Sequence, residues 1–250
     1  MITRVLIQKM PDTGEFANPS WHAAWHGFRH RGFDTEFFTW PEMRDGLITM
    51  NRETCAVGGV SVVRAALEQL GIEMPCFDYP TCLRPFLGRE IRRTTMGDVR
   101  ARYNDTGPTI FIKPARPQDQ KLFTGYTVSR FRDLLRTSRL DRDLELYESD
   151  PVEFVSEFRF YVHHHKVVAM GHYTGNPTLY PDRETVLRAV GTFADEGAPC
   201  SYGIDFGRTP DGRTLLVEVN GGLALGSYGM LPLAYSLFIE DRWDELLNQV

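Results

Sequence analysis

Three consecutive segments near the C-terminus read YGIDFG (residues 202–207), TPDGR (209–213) and LLVEVNGG (215–222). The outer two segments are rich in apolar residues, and the middle one contains a Pro-Asp-Gly turn. Proline presets φ at such a turn and glycine accepts a positive φ, so the pattern predicts a β-hairpin.

The polar residues of this hairpin are its unusual feature. Asp205 lies on the first strand, and Glu218 and Asn220 lie on the second. The last two are two residues apart, so their side chains share a face of the strand. Three oxygen-bearing side chains on one sheet face suit a hard cation such as Mg²⁺. The alternative is a hairpin with ordinary solvated carboxylates on its outer face.

A second segment, TIFIKPA at residues 109–115, reads as a short buried strand that ends in Lys113. A polar loop with Lys121 follows and closes on FTGY at residues 123–126. A lysine at a strand end and another on a loop are well placed to meet phosphate oxygens, and Gly125 would let the loop approach closely.

Between these segments, residues 151–162 (PVEFVSEFRFYV) predict a central strand. From Phe158 onward it alternates, which places Arg159 and Tyr161 on one face and the apolar residues on the other. A buried arginine must be paired with an opposite charge, because burying it alone would be prohibitive.

A strand-end lysine, a Lys/Gly loop, a central Glu/Arg strand and a terminal Asp…Glu-x-Asn hairpin, in this order, resemble the ATP-grasp superfamily over roughly residues 85–230. The pattern is most similar to the clade with one arginine and two lysines in its signature, in which arginine replaces the first lysine. The corresponding region reads LGREIRRTT at residues 87–95. Its arginines, Arg89, Arg92 and Arg93, are the candidates for that position, since guanidinium offers a fixed charge and a fork for phosphate.

The resemblance implies an ATP-grasp fold, with two α+β subdomains that clasp ATP, preceded by a small Rossmann-like α/β domain. Loop-rich, proline-containing sequence at residues 75–95 places the boundary, so the first domain is expected at 1–85 and the ATP-grasp domain at 86–250. Its subdomains are expected at about 97–145 and 146–230, with a helical tail over 231–250.

The resemblance also assigns roles in nucleotide binding. Backbone groups of the linking segment at residues 148–153 would hold adenine, with Asp150 and Val152 at the base edge and Glu153 at the ribose. Lys113, Lys121 and one of the arginines (Arg89 or Arg93) would neutralise the phosphates.

For the chemistry, the resemblance implies that Asp205, Glu218 and Asn220 hold one or two Mg²⁺ ions and that Arg159 is the partner of the γ-phosphate. It implies Mg-ATP-dependent ligation of a small-molecule or peptide carboxylate to an amine, through an acyl phosphate. The loop around Lys121 and Gly125 would close over that intermediate and exclude water. Two alternatives stay open: an ATP-grasp kinase that phosphorylates a hydroxyl, and a non-catalytic nucleotide-binding module.

The N-terminal region alternates strands and helices, which predicts a small parallel α/β unit. Residues 47–50 are expected to form one of its short strands, and residues 59–70 a helix that ends at Gly71. Residues 51–54 and 58–59 would then lie in strand-to-helix loops, where open α/β sheets place ligand contacts. A turn followed by a helix cap is the equal alternative.

The composition narrows the partners. The chain has 250 residues and a net charge of −5, which argues against a nucleic-acid or anionic-membrane surface. No apolar stretch approaches membrane-spanning length. The four cysteines show no Cys-x-x-Cys spacing and are interpreted as reduced thiols of a cytoplasmic protein. A homodimer is left open.

Two histidine-containing segments have competing interpretations. His163, His164 and His165 resemble a metal motif, but consecutive strand residues point to opposite faces, so a solvated hairpin tip is the preferred interpretation. His172 and Tyr173, on the return strand, either face the acceptor pocket or form an aromatic pair in the core.

Overall fold

The N-terminal residues form a three-stranded parallel sheet with helices between its strands. In this computed structural model, which describes residues 2–103 and 107–249, the sheet order is β2-β1-β3. The elements are β1 (Arg4–Lys9), α1 (Pro19–His30), β2 (Asp34–Thr39), α2 (Trp40–Arg44), β3 (Thr54–Val57) and α3 (Val60–Gln69). Met1, residues 104–106 and Val250, which the predicted domains include, lie outside the described residues.

One predicted strand of this region is wrong. Residues 47–50 form no strand, and the third strand is β3 instead. Residues 51–53 therefore precede that strand rather than follow it, and Asn51 accepts hydrogen bonds from the Glu53 backbone and the Thr54 hydroxyl in a tight turn. Residues 51–54 thus lie at the end of the parallel sheet opposite to the one where ligands bind.

A four-stranded antiparallel sheet follows, in the order β4-β7-β5-β6. Its elements are β4 (Ile91–Thr95), α4 (Met96–Arg102), β5 (Ile110–Pro114), β6 (Tyr126–Val128) and β7 (Glu145–Ser149). Apolar residues of β5, β6 and β7 pack against α4, with Ile112, Val128, Leu146 and Met96 buried. This amphipathic arrangement explains why Ile112 points inward and its neighbour Lys113 does not.

The C-terminal part is built on a second four-stranded antiparallel sheet, in the order β11-β10-β8-β9. Its elements are β8 (Ser156–His163), β9 (Lys166–Gly175), α5 (Arg183–Asp195), β10 (Ser201–Arg208), β11 (Thr214–Asn220) and α6 (Pro232–Leu247). The predicted hairpin of β10 and β11 is present, whereas the predicted central strand begins only at Ser156, because residues 150–154 are not in a strand.

Compactness divides the chain into two units: residues 87–154 form one, and the residues up to Phe86 together with those from Val155 form the other. The second of these is continuous because α6 packs on α1 and shares a core with the parallel sheet. Phe28, Phe238 and Trp243 are fully buried there. A Cβ on Gly27 would lie 2.0 Å from the Pro232 carbonyl oxygen, so glycine permits this close approach of the helices. The helix predicted as a tail is thus part of the core.

Candidate active site

A row of charged side chains crosses the C-terminal sheet. Asp205 on β10 lies directly opposite Arg159 on β8 and opposite Glu218 on β11. Because directly opposed residues of antiparallel strands share a sheet face, all three side chains lie on the same side. Asn220 lies two residues beyond Glu218 on that face. The structure therefore brings together the four residues that the sequence assigned to metal and phosphate.

A β-bulge produces this alignment. The strands pair Phe206 with Leu216 but Asp205 with Glu218, which leaves Val217 as the extra residue. Without the bulge, the register of the hairpin would place Val217 opposite Asp205. Bulges re-aim side chains in this way and are common next to active sites.

Arg159 and Asp205 form a buried bidentate ion pair. The Arg159 Nε and Nη2 atoms donate to the two Asp205 carboxylate oxygens at 2.8 and 2.6 Å, and the two residues are only 7% and 5% exposed. Burial acts to lower the pKa of Arg159, but the hydrogen bond and the charge of Asp205 outweigh it, so the pKa is raised. The expectation that a buried Arg159 is charge-paired is met, and its partner is a predicted metal ligand.

The donor set around Asp205 fits a magnesium ion. The Asn220 amide nitrogen lies 3.4 Å from an Asp205 oxygen and 3.3 Å from a Glu218 oxygen. Rotated by half a turn, the same amide would present its carbonyl oxygen to this point, and crystallographic practice treats the two orientations as interchangeable. Two carboxylates and a carbonyl are the hard ligands that Mg²⁺ accepts, with water and phosphate completing the shell.

Two tyrosines flank Arg159, and the sequence indicated only one of them. The Arg159 guanidinium lies 5.6 Å from the Tyr173 ring and 5.7 Å from the Tyr228 ring, and these rings stack edge to face. Tyr173 is 52% exposed and His172 is also exposed, so the interpretation of a core pair is wrong. Tyr228 was missed because it lies in the glycine-rich loop after β11, where no periodicity marks it.

In the unit of residues 87–154, the register of the sheet separates the candidate arginines. Arg93 and Lys113 both lie opposite Tyr147 and so share its face. The Arg93 guanidinium contacts the Tyr147 hydroxyl at 3.3 Å and Glu145 at 2.9 Å. Arg93 is therefore the arginine that the fold places beside Lys113.

Arg92 points to the opposite face of the same sheet. There it lies 3.3 Å from the buried Glu148, which also receives Arg102 at 2.6 Å. This is a structural role, since a buried carboxylate needs compensating charge. Arg89 precedes β4 and donates to the Leu87 carbonyl at 3.0 Å, so it is in neither row.

The loop residues have different environments. Lys121 is exposed in a turn before β6, which suits a side chain that reaches a ligand from a loop. Gly125 has a different reason to be glycine than the one inferred from the sequence. A Cβ there would lie 2.5 Å from the Phe111 ring and 3.0 Å from the Lys113 Cβ, so Gly125 packs directly against the Lys113 strand.

The predicted adenine segment is extended chain outside the regular strands. Asp150, Val152 and Glu153 follow β7 in residues that belong to no helix or strand. Asp150 and Glu153 are exposed and Val152 is half-buried. Backbone groups in such a segment are not committed to a sheet ladder, as hydrogen bonding to a base edge requires.

Comparison with known families identifies this arrangement. Residues 86–237 match an ATP-grasp domain family, described as family 2 of the clade that is named for one arginine and two lysines. The chain belongs to this family. The predictions of ATP-grasp membership, of the clade with one arginine and two lysines, and of the ATP-grasp fold are confirmed. The class of enzyme is accordingly that of the ATP-grasp ligases.

Solved structures share the fold at low sequence identity. D-alanine–D-alanine ligase from Bacillus anthracis complexed with ATP is 14% identical, with 98% of this chain and 96% of that chain covered and a TM-score of 0.56. D-alanyl-alanine synthetase A from Vibrio cholerae O1 biovar eltor str. N16961 is 13% identical, with 100% and 99% covered and a TM-score of 0.59. The ATP-grasp ligase PsnB, complexed with a phosphomimetic variant of its minimal precursor, Mg and ADP, is 12% identical, with 96% and 99% covered and a TM-score of 0.50.

No protein with a curated function matches the chain in sequence. Every helix in the described part of the chain falls short of the length and apolarity that a membrane span requires. No disulfide joins the four cysteines, all of which lie in described residues.

Proposed function

We propose that this protein is an Mg-ATP-dependent ligase that joins a carboxylate to an amine. The observation that carries the proposal is the row of Arg159, Asp205 and Glu218 with Asn220 beside it, in a chain of ATP-grasp family membership. The proposed reaction has two steps. A substrate carboxylate attacks the γ-phosphorus and releases ADP, and the amine then attacks the acyl phosphate, loses a proton and releases phosphate.

The chain's own residues supply positioning and charge. Lys113, Lys121 and Arg93 are proposed to neutralise the phosphates, and the planar Arg159 fork is proposed to stabilise the transferring phosphoryl group. Asp205, Glu218 and Asn220 would hold Mg²⁺, which supplies charge neutralisation at the phosphate oxygens. Asp150, Val152 and Glu153 are proposed to contact adenine and ribose.

The Arg159–Asp205 pair gives this assignment a specific form. Asp205 already carries two hydrogen bonds from Arg159, so its carboxylate and that guanidinium are held rigidly relative to each other. Rigid donors in place before the reaction are what lowers a barrier, since no reorganisation is needed as charge develops. Tyr173 and Tyr228, over the same guanidinium, are the proposed boundary of the acceptor pocket.

The relatives support an amide product and leave the substrates open. The names of two neighbours describe a ligation of D-alanine and an alanyl-alanine synthetase, and PsnB is a ligase complexed with a precursor. A kinase that stops at a phosphorylated hydroxyl is the alternative outcome, and a non-catalytic module is disfavoured because Asp205, Glu218 and Asn220 are all present.

The test is a screen for ADP release with Mg-ATP against amino acids and short peptides, alone and in pairs, followed by mass spectrometry of the products. A ligase releases ADP only when acid and amine are both present, and the product mass is the sum of the two less water. ADP release with one substrate and a product heavier by one phosphoryl group would replace the proposal with the kinase.

A further inference from the structure

The triple-histidine turn, His163-His164-His165, has a geometry that the sequence did not predict. It lies at the tip of the β8–β9 hairpin as expected, because β8 ends at His163 and β9 begins at Lys166. However, His164 and His165 have φ angles of +46° and +62°. This left-handed backbone breaks the strand alternation, so His163 and His164 turn to the same side and the first two histidines are not merely solvated.

Both imidazoles converge on one carboxylate of α6. The Nε2 atoms of His163 and His164 lie 2.6 and 2.8 Å from the same Asp241 oxygen, Oδ2. One ligand atom from each of the three residues lies within 4.8 Å of the others. The two rings are 4.3 Å apart at 31°, so they are nearly stacked and present their Nε2 edges together.

The surroundings hold this arrangement in place. The His164 backbone nitrogen donates to the Cys200 carbonyl at 2.7 Å, which fixes the turn, and His163 packs edge-on against Phe238 of α6. The side-chain exposures rise from 16% at His163 to 32% at Asp241 and 63% at His164. The cluster is therefore supported from inside and open on one side.

The local charges favour a cation. Within the described residues, the ion pairs of Asp241 are with these two imidazoles, and no lysine or arginine side chain is paired with it. The next residue of the helix, Arg242, is committed to Glu245 and to the Gly221 carbonyl. Neutral imidazoles leave the charge of the carboxylate uncompensated.

We propose that His163, His164 and Asp241 bind a borderline divalent transition-metal ion, of which Zn²⁺ is the representative. Two imidazole nitrogens and a carboxylate oxygen are a common three-ligand zinc set, with water at the fourth position on the exposed side. Such nitrogen ligands do not suit Mg²⁺, which prefers oxygen. The site is separate from the carboxylates of Asp205 and Glu218.

Binding needs only a small movement. Bonds of about 2.0–2.1 Å in a tetrahedron separate the ligand atoms by about 3.3 Å, whereas the nitrogens are now 2.6 and 2.8 Å from the carboxylate oxygen. The exposed His164 ring can move outward by this difference. The ion would then tie the hairpin tip to α6, so we expect it to stabilise the fold rather than to act in catalysis.

The experiment is equilibrium dialysis of the untagged full chain against Zn²⁺ alone, with millimolar Mg²⁺ present to occupy carboxylate sites, followed by metal analysis. The wild type should bind one Zn²⁺, and His164→Asn should bind it at least about tenfold more weakly, since even indirect supports of metal ligands contribute 10–100-fold. His165→Asn is the matched control, because it changes the neighbouring histidine at the same kind of left-handed position. It should bind like the wild type.

Two further readouts decide between this site and a thiol site. With Co²⁺, the wild type should show the visible absorption of a tetrahedral ion without a thiolate charge-transfer band. Zn²⁺ should raise the melting temperature of the wild type and of His165→Asn, and not of His164→Asn. Absence of Zn²⁺ binding, or equal affinity of His164→Asn and the wild type, would overturn the proposal, and unchanged ligase activity without Zn²⁺ would leave it intact.

Discussion

At the residue scale, the charged row on the C-terminal sheet combines two demands that usually conflict. Arg159 and Asp205 are buried and paired with each other, while Glu218 and Asn220 are only half-buried at the edge of that pair. The pair fixes geometry, and the edge residues remain accessible to a metal ion. Substitutions in the row should therefore separate into those that affect the fold and those that affect turnover.

For the edge residues, Glu218→Gln and Asn220→Ala should each lower turnover by about a hundredfold or more, on the scale of losing an electrostatic stabiliser. The melting temperature should change little, because neither side chain is in the core. Steady-state ADP release and thermal unfolding measure the two effects. Asp211→Asn, an exposed carboxylate on the turn of the same hairpin, is the control and should keep activity; wild-type turnover in both test variants would contradict the metal assignment.

For the buried pair, Asp205→Asn should destabilise the protein by about 3–5 kcal/mol, since it leaves the Arg159 charge buried without its partner. Replacing both partners, as in Arg159→Met with Asp205→Leu, should restore most of that stability while activity stays lost. Urea unfolding of the single and double variants gives the coupling free energy. A double variant as unstable as Asp205→Asn would mean that the ion pair itself holds the sheet together.

At the element scale, the two antiparallel sheets show what spacing can and cannot predict. The β10–β11 hairpin, its turn and the positions of Asp205 and Glu218 follow from local rules of turns and alternation. The bulge at Val217 does not, because it depends on pairing between strands rather than on the order of residues along one. The separation of Arg93 from Arg92 likewise required the register with β7.

The sequence failed where a tertiary contact determined the local structure. Residues 47–50 have strand-forming composition, yet β1 pairs with residues 54–57 instead. The alternation rule misjudged His164 because the chain leaves the strand one residue earlier, at His163. Tyr228 could not be found at all, since its place over Arg159 is set by the loop that follows β11.

Gly125 provides a prediction at this scale. Gly125→Ala should place a methyl group against Phe111 and Lys113, and overpacking of this kind costs about 1–3 kcal/mol of unfolding free energy. Nucleotide affinity should fall as well, because Lys113 is displaced with its strand. Calorimetric titration with Mg-ATP and denaturant unfolding measure both effects.

The control for this substitution is Gly191→Ala, in the middle of α5, where a Cβ would meet nothing within 4 Å. There alanine should stabilise the protein by up to about 1 kcal/mol through its helix propensity. If Gly125→Ala proved as harmless as Gly191→Ala, the packing of Gly125 against the lysine strand would not matter for binding.

At the scale of the whole molecule, the last helix is part of the N-terminal core. Trp243, fully buried, belongs to the same apolar cluster as the residues of β1 and α1. Trp243→Ala should lower the unfolding free energy by about 3–5 kcal/mol, and Leu233→Ala, an exposed leucine of the same helix, by far less. Unfolding followed by circular dichroism should show a loss for the parallel sheet and the C-terminal sheet together; separate transitions would indicate that the helix is dispensable to the N-terminal fold.

The whole chain is also the scale at which the reaction class is decided, because nucleotide, acid and amine must all be bound. An acyl phosphate is electrophilic at its carbonyl carbon, so hydroxylamine should displace phosphate from it and give a hydroxamate whenever the right acid is present. We expect hydroxamate from the wild type in the presence of Mg-ATP and an active acid from the screen, and none without ATP. Arg159→Lys should abolish most of it, since lysine keeps the charge and loses the planar fork that matches a phosphoryl group. Asp211→Asn should form hydroxamate like the wild type. ATP consumption by the wild type with a stable phosphomonoester and no hydroxamate would instead assign the protein to the kinases, with the same nucleotide-binding residues serving a different acceptor.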